Sequence, residues 1–256
     1  MADRKPPLIT KRGAAGGGRR SPRLPKPVDD ATLLEIMRRF EEAEPNPRGE
    51  LDYTDPYTLL VAVVLSAQAT DKSVNLATGP LFRAANTPAA MVALGEERVT
   101  DYIRSIGLFR TKAKNVVALS RRLIEEHGGL VPGDRAVLES LPGVGRKTAS
   151  VVLNNAFGEA TIAVDTHVFR VSHRIPIVIA ATPDEVQAKL ERRIPARYLS
   201  HAHHWLILHG RYTCKARVPD CPRCIIRDLC RYPAKTVALS DLHSGAMQST
   251  EPGTHG

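Results

Sequence analysis

The sequence predicts an all-α protein built from many short helices, and three observations predict it. Apolar residues recur at i, i+3, i+4 and i+7 through most of the chain. Helix starts and stops punctuate these stripes at short intervals, and no alternating strand pattern of useful length interrupts them. Leu33, Ile36, Met37 and Phe40 form the first stripe, and Tyr57, Leu60, Val61, Val64 and Leu65 form the second. Val99, Tyr102, Ile103 and Ile106 form a third, and Val116, Val117, Ser120, Leu123 and Ile124 a fourth that stops at Gly128-Gly129. A helix capped by Asp134 ends near Leu141, and another begins near Arg146. Thr182-Pro183-Asp184-Glu185 reads as a capping box with proline at the first helical position. Tyr198 to His209 forms a last helix, which Gly210 is expected to stop, while Ile175 to Ala180 is apolar and short but has no partner strand.

The 256 residues carry 36 Lys and Arg against 27 Asp and Glu, a formal net charge of +9, and 43% are hydrophobic. That length allows one large or two small domains, and the apolar content excludes a chain disordered throughout. The longest apolar run, Leu59 to Leu65, is too short to cross a bilayer, and no secretory h-region follows the first charges. Four cysteines are too few for a disulfide scaffold, so the expected location is cytoplasmic. The charge is uneven. Residues 1–28 hold eight Lys or Arg and one acid, a net +7, and are rich in Gly and Pro; residues 236–256 are net −2, leaving +4 for 29–235. The first 28 residues read as a disordered basic arm, suited to a polyanion such as nucleic acid or serving as a solubilising tail, and 236–256 as a disordered tail.

All four cysteines, Cys214, Cys221, Cys224 and Cys230, fall in one loop with the spacing C-x6-C-x2-C-x5-C. Four thiolates this close surround one metal centre more readily than they form tiny disulfide rings. Zinc usually takes two close pairs, and only Cys221 and Cys224 make one; the uneven spacing fits an iron–sulfur cubane better, with zinc the competitor. Arg211, Lys215, Arg217, Arg223, Arg227 and Arg231 interleave with the ligands and read as offsetting cluster charge and facing phosphate. His201, His203 and His204 have no Cys or carboxylate beside them and read as ordinary helix residues.

Leu141-Pro142-Gly143-Val144-Gly145-Arg146-Lys147 is the second strong motif. Two glycines let another backbone approach closely, and the amides at the following helix start favour an anion. Such a turn is either a phosphate clamp or a plain helical hairpin. Lys147 points away from the apolar stripe of Ala149, Val152, Leu153 and Ala156, into the first turn. There it serves either as an amine nucleophile or as a point charge for phosphate. Asp165, in Thr161-Ile162-Ala163-Val164-Asp165-Thr166-His167, reads as a helix N-cap whose fixed carboxylate can also stabilise a cationic sugar or relay a proton.

With these motifs the sequence resembles the endonuclease III family, DNA glycosylase/lyases of the helix–hairpin–helix superfamily. The resemblance covers roughly residues 29–235 and includes Leu65-Ser66-Ala67-Gln68-Ala69-Thr70-Asp71, the hairpin, the run around Asp165 and His204-Trp205-Leu206-Ile207-Leu208-His209-Gly210. It implies a two-domain α-helical fold: a six-helix barrel over 49–159 with the hairpin, and an iron–sulfur domain made of 29–48 and 160–235. It implies that Lys147 attacks C1′ of a flipped nucleotide, that Asp165 assists, and that the strand is cut by β-elimination through a Schiff base. It further implies a [4Fe–4S] cluster on the four cysteines. Gln68 and Leu108 match positions that fill the gap in the duplex, and Gly143, Val144, Gly145, Arg146 and His167 match DNA-binding positions. The partner implied is double-stranded DNA with damaged pyrimidines or abasic sites, met by a monomer associated with the bacterial nucleoid. An adenine glycosylase of the same superfamily is the nearer alternative, but such enzymes typically lack the lysine and carry a further C-terminal domain. A non-catalytic module on the same hairpin does not account for Lys147 and Asp165 together.

Overall fold

The computed structural model describes residues 26–237. Ten α-helices follow one another: α1 Asp30–Ala43, α2 Pro56–Ser66, α3 Asp71–Ala84, α4 Pro88–Ile103, α5 Phe109–His127, α6 Arg135–Ser140, α7 Arg146–Phe157, α8 Thr166–Arg174, α9 Pro183–Arg193 and α10 Ala196–Leu208. There is no strand among the described residues. The helices are short because their ends are written into the chain. Side chains of Asp29, Asp55, Thr70, Thr87, Asp134, Asp165 and Thr182 each accept a backbone N–H of the helix they precede. Each such cap contributes about 1 kcal/mol. At the other end, Gly128 and Gly158 close α5 and α7 in the left-handed region, at φ 60° and 67°.

Two apolar cores divide these helices. One runs from Tyr57 to Leu153 and gathers α2 to α7. The other combines Val28 and α1 with Ile162 to Leu206 and Ile226 of the cysteine loop. Helix α2 departs from the amphipathic stripe its sequence suggests: every residue from Tyr57 to Leu65 is buried. It packs on α3, α5 and α7 at once, so it has no solvent face to keep polar. Tyr57 still needs a partner there, and its hydroxyl meets Ser120 Oγ at 2.7 Å. Helix α4 begins well before the Val99 stripe and kinks at Gly95, whose φ is 78°.

Three further expectations change. The sequence extends the basic arm to residue 28, yet Val28 is 1% exposed, and its N–H donates to Pro176 O at 2.9 Å. The tail was assigned from residue 236, yet Thr236 donates to Pro219 O at 2.6 Å and accepts from Cys221 N at 3.1 Å. The rest of both assignments, 1–25 and 238–256, lies outside the described residues. Nor does Gly210 end the last helix, for α10 passes into a π turn over His209–Thr213. Glycine is needed there for close approach: a Cβ would lie 2.9 Å from His167 Cβ and 3.1 Å from Val171 Cγ2 of α8. Gly210→Ala is therefore expected to destabilise the protein by about 1–3 kcal/mol, the usual cost of overpacking. Denaturant unfolding against the parent checks it, with Gly145→Ala, where a Cβ meets nothing within 4 Å, as the mild control.

Candidate active site and cysteine loop

The hairpin between α6 and α7 is built as a backbone surface. Gly143 takes φ 79° and lies so close to α5 that a Cβ would sit 2.9 Å from Asn115 Nδ2. Val144 is buried and anchors the turn, so what it offers a ligand is its backbone. Gly145 caps α7 without a side-chain hydrogen bond, which leaves the first amides of the helix facing outward. Gly143, Gly145, Arg146 and Lys147 are exposed. The acid nearest Arg146 is Asp184 of α9, at 3.6 Å.

On α7, Ala149, Val152 and Leu153 enter the first core, while Lys147, Val151 and Asn155 line a cleft at i, i+4, i+8 spacing. Asp165 caps α8 and lines the same cleft. Its Oδ1 accepts from His167 N and Val168 N, both at 2.8 Å. Both bonds fall on one oxygen, which orients the carboxylate and leaves the other to the cleft. Gln68 lines the cleft as well, and its outer part is shared by Lys147, Asp165, Gln68 and His167. Gln68 and Leu108 have φ of 56° and 57°, the positive values found outside glycine among the described residues. Such a backbone costs about 1–2 kcal/mol for an L-residue and persists where the surroundings impose it. Their loops adjoin, since a Cβ at Gly107 would sit 4.0 Å from Gln68 O. Leu108 is 58% exposed, so it is an outward-facing apolar side chain rather than a buried loop residue. It stands at the start of α5, outside the cleft lining.

The cleft wall also contains two of the histidines that the sequence reads as ordinary helix residues, here in a buried role. His203 and His204 of α10 are in its wall and almost fully buried, whereas His201 lies against Trp205 with ring centroids 5.7 Å apart. Their i, i+4 relation to Ile207 and Leu208, with Arg211 one turn beyond Ile207, is the signal the sequence offers. His204 Nε2 meets Asn155 Oδ1 at 3.1 Å, joining α10 to α7. Burial foremost, then His204 and Lys147 against the pull of Asp165, depresses His203 to about 3. Burial, then His201, depresses His204 to about 4. Arg211, expected to face phosphate, is instead engaged inside the protein. It pairs with Asp71 Oδ2 at 2.6 Å and with Glu50, which also accepts from Tyr212. Arg231 is likewise engaged, with Asp29 at 3.3 Å. Lys215, Arg217 and Arg223 are exposed.

The four cysteines are unbridged and line one cavity with Ile175, His209, Ile226 and Tyr232. Two N–H donors reach the sulfurs, Tyr232 N at 3.5 Å from Cys230 and Arg174 Nη1 at 3.7 Å from Cys214, and His209 Nε2 lies 3.9 Å from Cys224 Sγ. Burial pushes the Cys224 thiol up to about 11 and raises that of Cys230. The loop is tied to α8 by Arg174, which donates to Lys215 O and Ala216 O at 2.6 Å each. Arg170 donates to Gly210 O at 2.8 Å and Cys214 O at 3.2 Å. Among the described residues no three His, Cys, Asp or Glu side chains sit together tightly enough for a single ion.

An all-helical fold that sets an amine and a capping carboxylate in one cleft, the amine directly following a glycine hairpin, defines a class, the helix–hairpin–helix DNA-repair proteins. The comparisons agree. Residues 61–196 match the HhH-GPD superfamily base excision DNA repair protein family. Endonuclease III of Escherichia coli (strain K12) is 55% identical over 208 residues, 81% of this chain and 99% of the relative. Endonuclease III of Haemophilus influenzae is 54% identical over 202 residues, 79% of this chain and 96% of the relative. A solved structure of a trapped endonuclease III–DNA covalent intermediate superposes with a TM-score of 0.75 at 44% identity, over 80% of this chain and 97% of that one. This chain belongs to the endonuclease III family of the HhH-GPD superfamily. It is a base-excision-repair DNA glycosylase and AP lyase.

The buried histidines carry a pH dependence. Their folded-state values lie below the ordinary 6.5, so as pH falls below that value the unfolded chain binds protons that the fold excludes. Stability is full above about pH 6.5 and is lost on acidification towards the depressed values, by roughly 2 kcal/mol per histidine at pH 5. Thermal midpoints measured from pH 7.5 to 5 should fall steeply, and less steeply in the His203→Gln/His204→Gln variant.

Proposed function

We propose that Lys147 and Asp165 divide the chemistry between them. The carrying observation is that both line the same cleft, one at the open start of α7 behind the hairpin amides, the other held rigid by capping α8. The hairpin Gly143–Arg146 grips backbone phosphate through amides and a guanidinium, while Gln68, Leu108 and His167 flank the opening. Double-stranded DNA lies across this face with one nucleotide extruded, because C1′ and the glycosidic bond are inaccessible in the stack. The Lys147 amine attacks C1′, the C–N bond to the base breaks, and Asp165 stabilises the positive charge that develops on the sugar or relays a proton. The amine nitrogen then loses a proton as the C1′–O4′ bond opens, O4′ taking up a proton to become a hydroxyl, and an imine results; the imine acidifies C2′, and loss of its proton expels the 3′ phosphate. Hydrolysis of the imine then frees the lysine. A covalent enzyme–DNA species is what the matched endonuclease III structure trapped.

The substrates in this reading are oxidised pyrimidines and abasic sites, and the protein works as a monomer on the bacterial nucleoid. No helix among the described residues is long and apolar enough to cross a membrane. Cys214, Cys221, Cys224 and Cys230 hold a [4Fe–4S] cluster. The support is a donor set of four unbridged thiols lining one cavity, with the Tyr232 and Arg174 N–H groups directed at two of the sulfurs. That group supplies structural order and a basic DNA-facing loop rather than base removal. In the same reading the two cores are the two domains, 49–159 against 29–48 with 160–235.

Borohydride reduction on abasic-site DNA should give a covalent adduct that Lys147→Ala abolishes. No adduct from the parent protein would overturn the assignment. Asp165→Asn should slow base excision on the order of 10²-fold with lesion-DNA affinity nearly unchanged. The purified protein should absorb broadly near about 400 nm, and stoichiometric zinc without that band would contradict the cluster.

A further inference from the structure

The segment between α7 and α8 delivers Asp165, and it is pinned from both cores. After Gly158 turns the chain, Asn154 Nδ2 donates to Glu159 O at 3.2 Å, to Thr161 O at 3.1 Å and to Ser200 O of α10 at 3.2 Å. From the opposite side comes Glu191 of α9. Its Oε1 accepts three hydrogen bonds, from Thr161 Oγ1 at 2.7 Å, Gln187 Nε2 at 2.9 Å and Ile162 N at 3.0 Å. Arg135 of α6 closes the ring, donating to Thr161 Oγ1 at 3.1 Å and Ser150 Oγ at 2.8 Å. Thr161, Ile162 and Ala163 are buried, so the Ile162 amide has no water to turn to. Ile162 and Asp165 are three positions apart, roughly 10 Å of extended chain.

We propose that Glu191 is a positioning residue for Asp165. Lys147 rides on α7, inside the first core, while Asp165 arrives on the connector. Their separation is therefore set by where the connector is fastened, and Glu191 is the charged fastener, its bonds strengthened by its ionised oxygen. It is not among the residues that line the cleft. The inference rests on the role given to Asp165 above.

The test is a double-mutant cycle on excision of an oxidised pyrimidine from duplex DNA, under single turnover, with the full chain. Glu191→Ala should lower the excision rate about tenfold, the scale on which small misplacements act, with the half-saturating DNA concentration within about twofold. Glu191→Gln, which keeps an acceptor oxygen, should restore most of the rate. In an Asp165→Asn background, Glu191→Ala should cause no further loss. An equal loss in both backgrounds would make Glu191 merely structural, and an unchanged rate in Glu191→Ala would end the proposal. If Glu191→Ala does not fold, Thr161→Ser, which keeps the hydroxyl, and Thr161→Val, which removes both its bond to Glu191 and its acceptance from Arg135 and Gln187, run the same cycle: loss in Thr161→Val with the rate kept in Thr161→Ser supports the fastening, and an unchanged rate in Thr161→Val ends the proposal. A full rate in Asp165→Asn alone would instead refute the role of Asp165, leaving that failure distinct.

Discussion

Everything in the cleft depends on the two apolar cores meeting across a polar seam. Had the facing surfaces of α7, α9 and α10 been apolar, they would have closed on one another and left no room for a nucleotide. Instead the seam carries Arg135, Ser150, Asn154, Thr161, Gln187 and Glu191, mostly hidden from water and bonded to one another. Buried polar groups are stabilising only when satisfied, so the seam tolerates one arrangement of the two cores and penalises its neighbours. Lys147 stands on one side of that arrangement and α8, with Asp165 at its cap, on the other.

The cysteine loop uses the same logic with charge. It has little regular structure, only the π turn and a single 3₁₀ turn at Cys221–Arg223. Its carbonyls at Gly210, Cys214, Lys215 and Ala216 are taken by two arginines of α8, one turn apart. Arg39 of α1 holds the far end, through Ile225 O at 2.8 Å and Asp228. Guanidinium groups suit this work because their fixed fork meets several carbonyls at once. The helix that presents Asp165 and His167 thus also anchors the loop, and the tight contact of Gly210 with His167 leaves no slack between them.

Local chemistry made much of this readable. Caps such as Asp134 and Asp165, the glycine stops, and the hairpin announce themselves within a few residues, and the structure puts α6, α7 and α8 where those signals point. What depends on distant neighbours did not show. The sequence around Tyr57 to Leu65 cannot say that three helices surround it. Gly210 looks like a stop because the helix it crowds lies some forty residues earlier. Arg211 looks like one more basic residue of a basic loop until Asp71 and Glu50 arrive from the other side of the molecule. His203 and His204 share a helical stripe with Ile207 and Leu208, but that spacing alone does not tell the wall of a cleft from a face packed in a core.

The left-handed backbones of Gln68 and Leu108 set stability against use. Glycine at either site would relax the chain, and an exposed leucine contributes little to the fold it protrudes from. Breeding this protein for heat resistance alone would therefore favour erasing both side chains at the rim of the cleft. Their persistence is a debt carried by the fold on behalf of whatever presses against that rim.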